Sequence, residues 1–94
     1  MPRYKVAHIK EQGVDLIIIP LSDSFRFKSN KDKNQITNEL QMRASNAGLA
    51  GTVVPVWNAG AGRMGFLAPR NWQFFFKSIN LQYVYANLNR EIYW

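Results

Sequence analysis

Cysteine is absent from this chain of 94 residues, and long apolar runs are absent as well. Without thiols the protein forms no disulfide, no thiolate zinc site and no cysteine nucleophile, a composition that suits the reducing cytoplasm, where we place it. The apolar runs are short, as in Leu16 to Ile19, whereas roughly 18 to 20 residues are needed to cross a bilayer. We therefore expect no insertion into a membrane.

Acidic residues are scarce: six Asp plus Glu face twelve Lys plus Arg, which gives a net charge of +6 and a pI near 10.0. A positive field attracts polyanions, so nucleic acid is the leading class of partner. Solubility alone also explains such a charge, so the positions of the cations decide between the two interpretations. At this length two separate cores would each be too small, and we expect a single compact domain over residues 1–94.

Four β-rich segments are predicted to pair as two hairpins. The segments are Tyr4 to Ile9, Val14 to Leu21, Gly51 to Trp57 and Arg63 to Ala68. Gly13 suits the tight turn of the first hairpin. The uninterrupted apolar run of the second segment is typical of a strand buried on both sides, so this strand should be central. Pro55 predicts an edge position or a bulge for the third.

Helical patterns follow each hairpin. Ser29, with Asp32 three residues on, resembles a capping box, and Gly48 suits the left-handed position that closes a helix. The apolar stripe between them is Ile36, Leu40, Ala44 and Ala47. After Pro69 two further stripes are out of phase, so the helix must break near 78–80, where Asn80 suits the cap position. These stripes are Trp72, Phe75, Phe76 and Ile79, then Leu81, Val84, Tyr85, Leu88 and Ile92.

The element order is ββαββα(α), which belongs to the α+β class. It predicts a four-stranded, mainly antiparallel sheet with the helices packed on one face. The opposite face would be free or matched by another subunit, which allows a homodimer.

The densest group of cations lies between the first hairpin and the first helix. It consists of Arg26, Lys28, Lys31 and Lys33, interleaved with Phe25 and Phe27. Cations neutralise phosphates and an aromatic ring stacks on an unpaired base, so the combination suits single strands or RNA loops. The alternative is a solvated connection whose phenylalanines cap the core.

Residues 60–65 match the pattern GxGxxG of dinucleotide-binding loops. The pattern leads into a strand that ends at Pro69 rather than into a helix, so we interpret it as a hairpin loop with Arg63 at its rim and expect no nucleotide cofactor. Arg70 flanks the same hairpin. The predicted nucleic-acid-binding residues are Arg26, Lys28, Lys31, Lys33, Arg63 and Arg70.

Exposed aromatic residues support an alternative function, a protein-interaction module that binds an acidic partner as an inhibitor or assembly subunit. Phe74 falls off its helical stripe, and Tyr93 with Trp94 ends the chain, where ordering requires a docking surface. These three residues are the predicted protein contacts, and together with the second hairpin they would form an aromatic patch.

Catalytic and metal-binding patterns are weak. His8 is the single histidine, and the carboxylates show no ligand-like spacing. Ser22 and Ser24 could approach His8, but no nucleophile elbow surrounds either serine. A minimal enzyme centred on His8 stays a third hypothesis. The sequence favours a small basic nucleic-acid-binding or regulatory accessory protein without catalytic activity, metal or cofactor.

Overall fold

The computed structural model describes residues 3–60 and 62–93, so the predicted contact Trp94 lies outside the described residues. Five strands, three α-helices and two short 3-10 helices make up this part of the chain. The strands are β1 (Arg3–Glu11), β2 (Val14–Pro20), β3 (Thr52–Gly60), β4 (Arg63–Phe66) and β5 (Arg90–Tyr93). The α-helices are α1 (Asn30–Asn46), α2 (Gln73–Ser78) and α3 (Leu81–Ala86), and the 3-10 helices cover Asp23–Phe27 and Arg70–Trp72.

The strands form one mixed sheet in the order β4-β3-β2-β1-β5. Both hairpins are antiparallel, as predicted, and β5 adds antiparallel to β1. β2 and β3 are parallel, because α1 carries the chain back along the sheet before β3 begins. The α+β class is confirmed and three of the four pairings are antiparallel, whereas the predicted number of four strands was wrong, because β5 makes a fifth.

Helices cover both faces of the sheet. Ile17 and Ile19 of β2 pack with Leu40 of α1 on one face, whereas Leu16 and Ile18 pack with the α2 and α3 side on the other. The prediction that all helices share one face was therefore wrong, and the free face that suggested a dimer is covered. All four of these β2 residues are fully buried, which confirms that β2 is the central strand.

The C-terminal segment is a strand where a helical stripe was predicted. α3 ends at Ala86, and β5 pairs with the start of β1. Asn89 accounts for the change, because its side chain mimics a strand backbone: its Oδ1 accepts the N–H of His8 and its Nδ2 donates to the His8 carbonyl, each over 2.9 Å. These bonds extend the β1–β5 ladder, and Ile92 is buried against Val6.

Local turn and capping signals were predicted correctly. Gln12 and Gly13 both have positive φ, as a two-residue hairpin turn requires. The Ser29 hydroxyl accepts the N–H of Asp32, and Gly48 closes α1 with φ of 84°. α2 ends at Ser78 and the Asn80 side chain caps α3. Of the α1 stripe, only Ala47 is exposed.

Pro55 lies in β3, which is not an edge strand, so the predicted edge position was wrong. The alternative, a bulge, is found in β3 as a shift of register between Asn58 and Gly60 and not at Pro55. The Pro55 carbonyl accepts the N–H of Leu67 over 3.2 Å, on the side of β3 that faces β4. β4 has already ended at Phe66, so no ladder bond is lost to the missing N–H of proline.

No helix in the described ranges is both long enough and apolar enough to cross a membrane.

Candidate nucleic-acid interface

Two connections meet where the parallel strands β2 and β3 end. Pro20, the last residue of β2, is in register with Val56 of β3, so both strands reach the same edge of the sheet. From β2 the chain enters the 3-10 helix Asp23–Phe27 and the first turn of α1. From β3 it enters the hairpin to β4. This topology brings the basic segment after β2 against the second hairpin.

Cations from both connections converge on the last residues of β3. The Lys33 ammonium lies 4.9 Å from the centroid of the Trp57 ring. The Arg26 guanidinium rests on Gly60, where the methyl group of an alanine would come within 2.9 Å of its Nη1. Arg63 is paired with Gly60 across the hairpin. Lys28 and Lys31 are exposed in the same connection as Arg26. We name Arg26, Lys28, Lys31, Lys33 and Arg63 the basic edge.

The charges of the basic edge are not neutralised by ion pairs. Among residues 3–60 and 62–93 the ion pairs within 4.0 Å are Arg3 with Glu91 and Arg43 with Glu39. Asp23 and Asp32 belong to the same connection as four of the cations, but neither carboxylate pairs with them at that distance. The basic edge therefore keeps an excess of positive charge beside solvent.

Trp57 forms a buried support beneath these cations. Its side chain is 7% exposed, its ring centroid lies 4.9 Å from that of Phe25, and Gly65 of β4 packs directly against the indole. Lys33 covers its ring. Trp57 therefore acts as a structural anchor, which is the commoner role of tryptophan, and not as a platform for a base.

Phe27 is an exposed aromatic residue beside the basic edge. Its side chain is 76% exposed, and the Arg26 guanidinium carbon lies 4.6 Å from its ring centroid. Phe25, two residues earlier, is only 3% exposed. The suggestion that both phenylalanines cap the core thus holds for Phe25 alone. No pattern in the sequence indicates which of the two rings faces outward.

Arg70, the sixth predicted nucleic-acid contact, does not join the basic edge. The next two residues, Asn71 and Trp72, line a surface depression together with Gln12 of the β1–β2 turn. That turn lies at the edge of the sheet where β2 begins, opposite the edge where it ends. Arg26, Lys33 and Arg63 are therefore brought together at the end of β3, Lys28 and Lys31 are exposed in the adjoining connection, and Arg70 is separate.

The predicted protein contacts do not form a single patch in the described part of the chain. Phe74 is 86% exposed and lines the same depression as Gln12, just beyond the end of β1. Tyr93 is exposed beside Arg3, at the start of β1. The nine residues of β1 separate them by about 30 Å.

His8 and the two serines are engaged in separate hydrogen bonds. The His8 Nε2 lies 2.8 Å from the carbonyl oxygen of Ala50, and the hydroxyls of Ser22 and Ser24 bond to each other over 2.9 Å. In the ranges that the structure describes, no three His, Asp or Glu side chains cluster as metal ligands would.

Five cations, the exposed ring of Phe27 and the buried indole of Trp57 thus make up the candidate interface. Comparisons with known proteins add no function to this geometry, because neither a family model, nor a curated protein, nor a solved structure matches the chain.

Proposed function

We propose that the protein binds single-stranded nucleic acid along the basic edge. The observation that carries this proposal is that Arg26, Lys33 and Arg63 meet at the end of β3, beside an aromatic ring that is 76% exposed. Lys28 and Lys31 are exposed in the adjoining connection, and among the described residues none of the five cations has an ion pair. The cations bind phosphates of the backbone, and the ring of Phe27 stacks on an unpaired base.

The contact between Arg26 and Phe27 favours a single strand over a duplex. The guanidinium holds one face of the ring by a cation–π interaction, so the ring is oriented before a ligand arrives. A base must leave its own stack to reach the other face of the ring. Bases of a single strand are free to do so, whereas those of a duplex would first have to unstack and unpair.

The aromatic protein-contact function has less support. It required Phe74 and Tyr93 to share a surface with the second hairpin, and these two side chains lie at opposite ends of β1.

A binding titration at two salt concentrations tests the proposal. With a fluorescently labelled single-stranded oligonucleotide, five phosphate contacts give a log–log slope of about −3.5 against salt, which corresponds to a loss of affinity of about 100-fold between 50 and 200 mM. Fluorescence anisotropy measures both affinities. No binding to DNA or RNA strands at low salt would refute the function.

Replacing Phe27 by alanine should weaken single-strand binding by about tenfold, because base–aromatic stacking contributes roughly 1–3 kcal/mol per base. Duplex binding should change by less than about twofold. Since the side chain is exposed, the free energy of unfolding should stay within about 0.5 kcal/mol of the wild-type value. Anisotropy with the two ligands and urea denaturation measure these quantities.

Phe74→Ala is the matched control for this variant. Phe74 is equally prominent and also lies near a cation, with the Lys77 ammonium 5.9 Å from its ring centroid, but it is outside the basic edge. Its loss should leave both affinities unchanged. If Phe74→Ala weakened single-strand binding as much as Phe27→Ala, no base would stack on Phe27. The same conclusion would follow if Phe27→Ala weakened single-strand and duplex binding equally.

A further inference from the structure

An open groove of about 340 Å³ lies between the β3–β4 hairpin and α3. The polar residues that line it are Asn58 and Arg63 on the hairpin and Asn80 and Gln82 on the α3 side. Met64 and Leu81 form the apolar part of the lining. The volume falls within the range of small-molecule sites, and none of the described acidic residues lines the groove.

Two of the amides have fixed orientations. The Oδ1 of Asn58 accepts the N–H of Gly60 over 2.8 Å, and the Oδ1 of Asn80 accepts the N–H of Tyr83 over 2.9 Å. A backbone N–H requires an oxygen acceptor, so neither amide can be flipped without losing its bond. Each Nδ2 group is therefore turned away from its backbone partner, and neither has a hydrogen-bond acceptor among the described residues.

The groove consequently offers an excess of donors. The two residues that bear these NH₂ groups line it together with Arg63, and Arg63 and Asn80 also line an adjoining depression with Lys77. None of the described acids forms an ion pair with Arg63 or Lys77 within 4.0 Å. A ligand that fits must supply several acceptor oxygens and negative charge, together with a less polar part against Met64 and Leu81.

We propose that this groove is a binding site for a phosphate monoester, the group carried by a free mononucleotide or by the phosphorylated end of a strand. A phosphate monoester has three terminal oxygens and a charge near −2, and it therefore matches this donor set better than a carboxylate with two oxygens. The site shares Arg63 with the basic edge, but it does not depend on Phe27 or on stacking, so it can exist without the proposed function.

Titrations followed by the side-chain NH₂ signals of Asn58 and Asn80 in nuclear magnetic resonance spectra test the assignment. Adenosine monophosphate should shift both signals at millimolar concentration, whereas adenosine and acetate should not. A shift with adenosine alone would mean that the base is recognised, and an equal shift with acetate would mean that any anion suffices. Either result, or no shift with adenosine monophosphate, overturns the proposal.

Asn80→Asp separates binding from folding. The carboxylate still accepts the N–H of Tyr83, and aspartate is as good an N-cap as asparagine, but the donor is replaced by a negative oxygen. The affinity for adenosine monophosphate should fall at least tenfold while the melting temperature stays unchanged. If this variant is destabilised, Asn58→Asp serves the same purpose at the Gly60 bond.

Asn71→Asp is the control, since it makes the same change of charge on an exposed residue outside the groove. Its affinity for adenosine monophosphate should remain within about twofold of wild type. Equal losses in the two variants would show that the effect arises from the overall charge of the protein. A 5′-phosphorylated oligonucleotide compared with its unphosphorylated form distinguishes the two sources of the phosphate. Asn80→Asp should weaken binding of the unphosphorylated strand far less than binding of adenosine monophosphate, because Arg63 is the one cation of the basic edge that lines the groove, so this site can fail without the basic edge failing.

Discussion

Replacing Arg26, Lys28, Lys31 and Arg63 together by glutamine should lower the affinity for a single-stranded oligonucleotide by at least about 100-fold at low salt. Each phosphate contact on a single strand contributes about 0.7 to the slope of log affinity against log salt, so the slope should become shallower by about 3. Lys33 is retained because its ammonium covers the Trp57 ring. Anisotropy over a series of salt concentrations measures both the affinity and the slope.

The matched control replaces four exposed cations outside the basic edge by glutamine, which removes the same amount of charge. These are Lys5, Lys10, Arg70 and Arg90. The control should keep a slope within about 0.7 of wild type, the value of one contact, because its cations do not converge beside Phe27. Equal losses in the two variants would show that the affinity follows the net charge of +6 and not a particular surface.

Much of the local structure could be predicted from single residues. The caps Ser29 and Asn80 both accept the backbone N–H three residues on, as their side-chain chemistry favours. Gly13 lies in the first hairpin turn with positive φ. The out-of-phase stripes required a break near 78–80, and α2 ends there. Each of these features is decided by atoms within a few residues in sequence, which is why the sequence alone was sufficient.

The sequence of β2 also indicates how the helices are layered on the sheet. A run such as Leu16 to Ile19 sends alternate side chains to opposite faces, so burial of all four residues requires cover on both faces. Helices on one face could not supply it. α1, at 17 residues, is about 25 Å long and returns the chain to the edge where β2 began, which makes β3 parallel to β2. Turn chemistry alone, which predicts the two hairpins, contains neither of these constraints.

The candidate site was predictable only in part. Arg26, Lys28, Lys31 and Lys33 are close in sequence, so their cluster was evident. Their meeting with Arg63 depends on the parallel pairing of β2 and β3, and the separation of Arg70 depends on where the chain runs after β4. No sequence signal marks the free Nδ2 groups of Asn58 and Asn80, because their orientation follows from backbone bonds that only the folded hairpin and helix provide.

Gly65→Ala should reduce the free energy of unfolding by about 1–2 kcal/mol. A methyl group at this position would overlap three indole atoms of Trp57, namely Nε1, Cε2 and Cζ2, and overpacking of this kind costs roughly 1–3 kcal/mol. The φ of Gly65 is not positive, so alanine suits the backbone and would by itself be favourable by about 0.5–1 kcal/mol. Overlap with a ring held between Gly65, Phe25 and Lys33 outweighs that gain. Urea denaturation measures the difference.

A double-mutant cycle with Trp57→Phe distinguishes two reasons for glycine at position 65, namely contact with the indole and the backbone conformation of β4. The smaller ring makes room for the methyl group, so Gly65→Ala should cost less than about 1 kcal/mol in the phenylalanine background, with a coupling energy of at least about 1 kcal/mol. An identical cost in both backgrounds would place the requirement for glycine in the backbone of β4. The same indole lies beneath Lys33, a cation of the basic edge. If the packing of β4 positions this cation, Gly65→Ala should also weaken single-strand binding under conditions in which the variant is fully folded.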